Sequence, residues 1–249
     1  MCRTGWTAGS AAPVKLLLRT AAMDRGRAID VYSHEMLFDL GTIPGGFESA
    51  VTTWRRLLGL YRRAWNDITS GDYAAVVDVH ERFVAYVRAI EVIHARDYGK
   101  PRTATTESAE RIERAVAAIP EDLREWARPL LEASSPPIAR HRVQDIVTSL
   151  EELGMRLAGG SPEKFALYVT TTRNELVHPT DKPKRHLLET VEERYWYARS
   201  LYWLALAYLV EKLGASRQDL SAGMGAIPDV RVAIDRVGAF ARQRRQSSR

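Results

Sequence analysis

Apolar positions along the chain recur mainly at three- and four-residue spacing, the period that lines one face of an α-helix. Phe47, Val51, Trp54, Leu57, Leu58, Tyr61 and Trp65 form the first such stripe, which runs to Ser70 and Gly71. Val76, Val79, His80, Phe83, Val87, Ile90, Val92 and Ile93 are the inner positions of a second helix, expected from Tyr73 to Tyr98, where Gly99, Lys100 and Pro101 stop it. Shorter helices are expected over 107–119 and 121–133, and another runs from the Ser134-Ser135-Pro136-Pro137 break to Leu157. Ser161, Pro162 and Glu163 supply an N-cap oxygen and a proline at the first helical position, opening a helix through Phe165, Tyr168, Val169 and Leu176 that Pro179 ends. The last long helix is expected from Lys184 to Leu213, with one more from Asp229 to Arg242. Strand character is confined to Ile29 to Leu40, which precedes the breaker run Gly41 to Gly46. Helices joined by short connections predict an all-α fold, a helical bundle over 46–213. Residues 1–45 are expected to be an N-terminal extension carrying at most one or two strands. Residues 214–249 are expected to be a basic C-terminal tail with one short helix.

Composition narrows the class. The longest apolar run, Leu201 to Val210, is far shorter than the roughly 20 residues a membrane-spanning helix needs, so no membrane partner is expected. A single cysteine, Cys2, builds neither a disulfide framework nor a cysteine-rich zinc site, which points to a reducing, cytoplasmic compartment. The net charge is +5, from 36 lysines and arginines against 31 acids. Eight of those bases and no acid lie in residues 1–23 and 236–249, so residues 24–235 hold 28 bases against 31 acids and are slightly acidic. Attraction to nucleic acid therefore has to come from the two ends or from a local cluster.

Common catalytic signatures are absent. Gly99-Lys100 lacks the upstream glycine of a phosphate-binding loop, Gly223-x-Gly225 follows no strand, and neither a His-Glu-x-x-His nor a Gly-x-Ser-x-Gly sequence occurs. The segment that carries chemistry is Thr170-Thr-Thr-Arg173-Asn174-Glu175-Leu176-Val177-His178-Pro179. Asn174 and His178 share a helix face, and Arg173 lies about 100° around the axis. Pro179 disfavours helical geometry at His178, so the imidazole can swing toward the arginine, and a helix C-terminus is a favourable place for a cation. Cleavage of an RNA phosphodiester by its own 2′-hydroxyl needs a proton shuttle and a fixed cation for the phosphorane-like transition state. A histidine supplies the first and an arginine the second, with no metal or other cofactor. A loose Arg-x(4 to 6)-His spacing occurs three times, at Arg27 to His34, Arg88 to His94 and Arg173 to His178, and is uninformative by itself. Only the last has the strict Arg-Asn-x-x-x-His form at a helix end, whose bland alternative is an exposed terminus with a capping histidine.

The stretches Phe83-Val-Ala-Tyr-Val-Arg-Ala-Ile90-Glu91-Val-Ile-His94 and Val169-Thr-Thr-Thr-Arg173-Asn174-Glu-Leu-Val-His178, with the long aromatic helix that follows, resemble the HEPN superfamily of helical ribonucleases. Within it, they are most similar to the HEPN domain of ApeA-like anti-phage proteins. The resemblance implies a homodimer in which two motifs face each other across one RNA-cutting site. It makes Arg173 and His178 catalytic and Asn174 the polar residue that orients them, with Glu91 a candidate to hold Arg173. It also implies a role in phage defence or as a toxin-like effector. ApeA-like proteins carry a β-rich domain ahead of the HEPN part, so residues 1–45 are expected to be a remnant of such a domain, with target sensing supplied by a separate domain or protein.

Two other functions compete. One is a catalytically silent HEPN-like module that binds RNA or a protein. The other is a di-iron carboxylate bundle, since Glu91-x-x-His94 and Glu175-x-x-His178 lie on different helices and Glu48 and Glu151 or Glu152 lie on two more. Arg173 beside the second pair opposes a dicationic site. Lys182, Lys184 and Arg185, with His186, form a basic cluster directly after the motif, suited either to steering phosphate or to being an ordinary exposed turn. His34 and His80 are expected to be structural, and Glu151-Glu152 and Glu192-Glu193 solvated helix faces. Tyr195, Trp196, Tyr202 and Trp203 are expected in the core or at a dimer seam, with exposed members able to stack on bases.

Overall fold

The computed structural model describes residues 43–73, 78–98, 106–133, 139–179 and 185–247. Those residues form eleven helices and no strand, an all-α bundle as expected. The strand expected at Ile29 to Leu40 lies outside the described residues.

The long apolar stripe at the start divides in two. α1 (Gly46–Leu60) ends where Tyr61 leaves the helical region, and α2 (Arg62–Tyr73) begins directly after it. Tyr61 is buried and its hydroxyl donates to Asp97. α3 (Val79–Asp97) is the central element. Its N-cap Asp78 accepts from the His80 amide at 2.5 Å, and Phe83, Tyr86, Val87, Ile90 and Ile93 form its fully buried face. It packs on α2 and on α6 (Ala139–Ser149), α8 (Pro162–Val177) and α9 (Val191–Lys212). Burying each such side chain contributes about 1.5–3 kcal/mol, which is why the order of this face decides the fold.

α9 shows what the Leu201 to Val210 run is for. Every residue of it except Tyr202 is buried, so this half of the helix is apolar all round because neighbours cover it all round. No helix among the described residues is long and apolar enough to cross a membrane. The helix starts at Val191 rather than Lys184 because Thr190 and Glu193 form a capping box. Thr190 Oγ1 accepts from the Glu193 amide at 3.1 Å, and Glu193 Oε2 accepts from the Thr190 amide at 3.2 Å.

The helix expected to run to Leu157 also divides, into α6 and α7 (Glu151–Leu157), with Leu150 between them and Glu151, the first residue of α7, at φ 50°. Gly154 marks their closest approach: a Cβ there would lie 1.9 Å from the Val147 carbonyl oxygen. α4 (Thr106–Ala117) and α5 (Glu121–Ala133) pair chiefly with each other, and α5 presents Leu123, Trp126 and Leu130 to solvent, Trp126 being 68% exposed.

Residues beyond Gly214 are more than a tail with one short helix. α10 (Arg217–Ala226) and α11 (Pro228–Ser247) pack on the bundle, and Val230, Ala233 and Val237 are fully buried against it. Arg199 of α9 donates from Nε at 3.0 Å and Nη2 at 2.5 Å to Asp229 Oδ2, which also accepts from the Trp203 indole at 2.9 Å. Arg244 reaches Glu193 Oε1 in the same two-pronged way. The signal for α11 is the apolar spacing Val230, Ala233, Val237, present in the sequence but set among six C-terminal arginines.

Candidate functional site

α8 carries the Arg-Asn-x-x-x-His segment, and its ends are built as the residue types require. Ser161 Oγ accepts from the Lys164 amide at 3.3 Å and Pro162 opens the helix. At the other end His178 has φ −134° and ψ 73°, outside the helical region, as the following proline demands. Its amide still donates to the Asn174 carbonyl at 2.8 Å, so the histidine is anchored by backbone while its side chain is exposed.

Arg173 projects from the last turns of α8 toward α3. Nη1 donates to Asn174 Oδ1 at 3.1 Å, and Nη2 lies 3.7 Å from Glu91 Oε2, an ion pair beyond hydrogen-bond length. The arginine side chain is 28% exposed and Glu91 16%, so the pair sits at the floor of an open ledge. Among the described residues Arg173 Nε is buried with no hydrogen-bond acceptor. Asn174, Val177, His178 and Pro179 form the exposed rim. The structure thus brings Arg173, Asn174 and Glu91 together and leaves His178 on the solvent side of the same helix end.

The ledge is braced from behind. Buried Thr172 Oγ1 accepts from the Leu188 amide at 2.9 Å, pinning the segment before α9 against α8. Arg194 of α9 donates to the Leu188 and Glu189 carbonyls at 2.8 and 3.1 Å and to His80 Nε2 at 2.8 Å. An arginine can only donate, so His80 accepts at Nε2 and keeps its proton on Nδ1, which faces Asp78 at 3.4 Å. His80 is a structural residue, as expected.

Glu91 belongs to a wider charged ladder that sequence spacing does not reveal. One turn before it on α3, Arg88 donates from Nε at 2.8 Å and from Nη2 to Asp67 of α2. Arg88 is held more basic than usual by its hydrogen bonds with Asp67, opposed by burial and reinforced by the charges of Asp67 and Glu91. Asp67, Arg88, Glu91 and Arg173 therefore alternate in sign across three helices.

The di-iron arrangement is not formed. His94, three residues after Glu91, is buried, stacks on Tyr98 and bonds through Nε2 to Asp145 Oδ2 at 2.9 Å, while Glu91 faces Arg173. Glu48 is exposed in the first turn of α1, and Glu151 is exposed and paired with Arg217. No group of three His, Cys, Asp or Glu side chains among the described residues could share a metal ion. The reason is geometric: Glu91 and His94 are turned toward different neighbours, and the His178 side chain is exposed at the end of α8.

Of the basic cluster, Lys182 and Lys184 lie outside the described residues. Arg185 is exposed and precedes His186, which sits at φ 68° with its ring 5.6 Å from that of Tyr168. Tyr168 is five residues before Arg173, about 7 Å of helix rise away, so the chain at 185–186 lies back along α8 and not at its C-terminal end. Among the aromatic residues of α9, Trp203 is buried and committed to Asp229, and Tyr195, Trp196 and Tyr202 are half-buried.

Neither a curated protein nor a solved structure matches the chain. The Apea-like HEPN family matches residues 84–219, from within α3 to the start of α10 and including both Glu91 and the α8 motif. That stretch is more than half of the sequence, and the chain belongs to the Apea-like HEPN family.

Proposed function

We propose that the chain is a HEPN-type endoribonuclease that cuts RNA without a metal ion, at a site shared by two copies, in phage defence or as a toxin-like effector. The observation that carries this is the Arg173 guanidinium, held beside Asn174 and Glu91 without a carboxylate hydrogen bond, next to an exposed histidine at the same helix end. Membership of the family supports the class of reaction and the defence setting.

The chemistry divides between the two side chains. A neutral imidazole takes the 2′-hydroxyl proton as that oxygen attacks phosphorus, and the 5′-oxygen leaves with a proton, giving a 2′,3′-cyclic phosphate and a 5′-hydroxyl end. Arg173 donates to the non-bridging oxygens as charge accumulates there, and each such group is typically worth about 10²-fold or more in rate. One copy offers a single histidine on an open ledge, whereas cleavage needs a base and an acid and gains from exclusion of water. Two copies meeting at the α8 ends supply two imidazoles, one for each proton, and close the ledge.

The test is purified full-length chain with RNA in EDTA. Fragments ending in 2′,3′-cyclic phosphate are expected, with Arg173→Ala and His178→Ala each lowering the rate by about 10²-fold or more. Growth arrest that persists in both variants with RNA intact would instead leave the chain a binding module.

A further inference from the structure

We infer that a basic groove on α1 and α2 is the track that holds single-stranded RNA leading to the α8 site. The groove has a volume of about 480 Å³ and is lined by Arg55, Leu58, Gly59, Arg62, Trp65 and Asn66. Its ligand class rests on the ribonuclease reading, and its position does not.

Charge is the first argument. From Ser49 to Asn66 the chain has four arginines, Arg55, Arg56, Arg62 and Arg63, and no acid, although residues 24–235 as a whole are slightly acidic. All four are exposed, and neither Arg55 nor Arg62 pairs with a carboxylate among the described residues. A concentration of unpaired guanidiniums on an otherwise acidic body attracts a polyanion to one place.

Shape is the second. Leu58 and the half-buried Trp65 line the groove together with its arginines, and the Trp65 ring is fixed edge-on against Trp54, with centroids 4.7 Å apart at 89°. A fixed indole sharing a groove with guanidiniums suits stacking of an unpaired base while the phosphates are neutralised. The exposed Asn66 amide adds a donor and an acceptor for a base edge. Double-helical RNA keeps its bases stacked on one another and cannot use such an indole.

Continuity is the third. Asn66 is followed by Asp67, which holds Arg88, and Arg88 stands one turn from Glu91, the partner of Arg173. The helix that carries the groove is thus tied through Asp67 and Arg88 to α3, the helix that carries Glu91.

Gly59 makes the inference testable without damaging the fold. It lies in the last turn of α1 and lines the groove, and a Cβ built on it meets nothing within 4 Å, so a side chain can be added there without a clash at its root. Binding of a fluorescein-labelled single-stranded oligoribonucleotide is followed by anisotropy over a salt series. All chains carry His178→Ala, so that cutting does not enter. Gly59→Trp and the pair Arg55→Gln with Arg62→Gln are each expected to weaken binding about 10-fold. The arginine pair should also flatten the slope of log affinity against log salt by about 1.4. Melting curves show whether Gly59→Trp folds, and the exposed arginine pair stands as an independent variant. Parent-like binding by folded variants, or no binding by the parent, overturns the inference, and the first of these, with growth arrest lost when the same groove substitutions are placed in a chain that keeps His178, would assign the groove to a protein. Groove-dependent binding by a chain that cuts no RNA would sustain the groove and remove the ribonuclease reading alone.

Discussion

Glu91→Gln is the substitution that best separates holding Arg173 from simply being near it. The change keeps size and one acceptor oxygen and deletes a charge 3.7 Å from the guanidinium. A phosphate bound on the far edge of that guanidinium would lie about 7 Å from Glu91, where one unit charge in an effective dielectric of 20–80 is worth about 0.6–2.4 kcal/mol. Removing that repulsion should tighten RNA binding by roughly 3- to 50-fold. Turnover should move the other way. Arg173 keeps only its Asn174 contact as an anchor, and the loss of orientation is expected to lower kcat about 10-fold, less than the 10²-fold or more for deleting the arginine itself. Stability should change by about 1 kcal/mol at most, because both side chains are partly exposed. The assay is single-turnover and steady-state cleavage of a fluorogenic oligoribonucleotide with a parallel melt. A residue of purely structural importance would lower the melting temperature and move both constants together. Weaker binding with unchanged kcat would refute the assignment of Glu91 as a positioning residue.

Three further substitutions probe the scaffold. Gly154→Ala forces a methyl group to within 1.9 Å of the Val147 carbonyl oxygen, and the required separation of α6 and α7 is expected to cost about 2–4 kcal/mol, read as a melting temperature lowered by about 5–15 °C. Asp229→Ala removes the carboxylate that accepts from both Arg199 and the Trp203 indole, costs about 2–3 kcal/mol, and should raise hydrogen exchange across α11 before the rest of the bundle opens. Asp97 resists ionisation through burial, yet the Tyr208 and Tyr61 hydroxyls and Lys212 together hold its carboxyl below its ordinary value. A carboxyl lowered by folding stabilises above its unfolded pKa, near 3.9, and loses that contribution as pH falls further. The melting temperature of the native chain should therefore drop between pH 5 and pH 3 more steeply than that of Asp97→Asn, and parallel curves would dismiss the cluster as a source of acid lability.

The bundle was legible because helical periodicity is a local property, and α3 and α8 lie where their apolar stripes put them. The α8 end was legible for the same reason: serine cap, N1 proline and terminating proline act within a turn of their own positions. What escaped was set by partners distant in sequence. The break at Tyr61 coincides with a hydroxyl committed to Asp97, and the break at Leu150 with a glycine that lets two helices touch. The Thr190 to Glu193 capping box was a readable signature, overridden by the unbroken helical pattern expected from Lys184. The two Glu-x-x-His pairs failed in the opposite way. Their spacing matched a metal site, but spacing says nothing of whether Glu91 turns to a cation and His94 to Asp145.

The arginines of the bundle supply their own control for the proposed role of Arg173. Arg88, Arg199 and Arg244 each present Nε and Nη2 to a single carboxylate, a two-pronged pairing that saturates that edge and suits a structural tie. Arg173 is held otherwise, by one neutral amide at 3.1 Å and by a carboxylate too distant for a hydrogen bond, with Nε buried and unpaired. An unpaired Nε also occurs at Arg82 and Arg140, but Arg140 has a direct carboxylate bond to Glu163 at 2.8 Å, and neither arginine is part of the Arg-Asn-x-x-x-His segment. Leaving donors unpaired in a half-buried guanidinium costs stability that a direct carboxylate bond would recover. With no carboxylate hydrogen-bonded to them, the Nη groups of Arg173 keep donors for a phosphate oxygen. Asn174→Asp places a full charge at the 3.1 Å position, ties Arg173 through Nη1 to a carboxylate, and should raise the melting temperature while abolishing cleavage. A variant that is both more stable and fully active would mean that Arg173 is a structural tie like the other three.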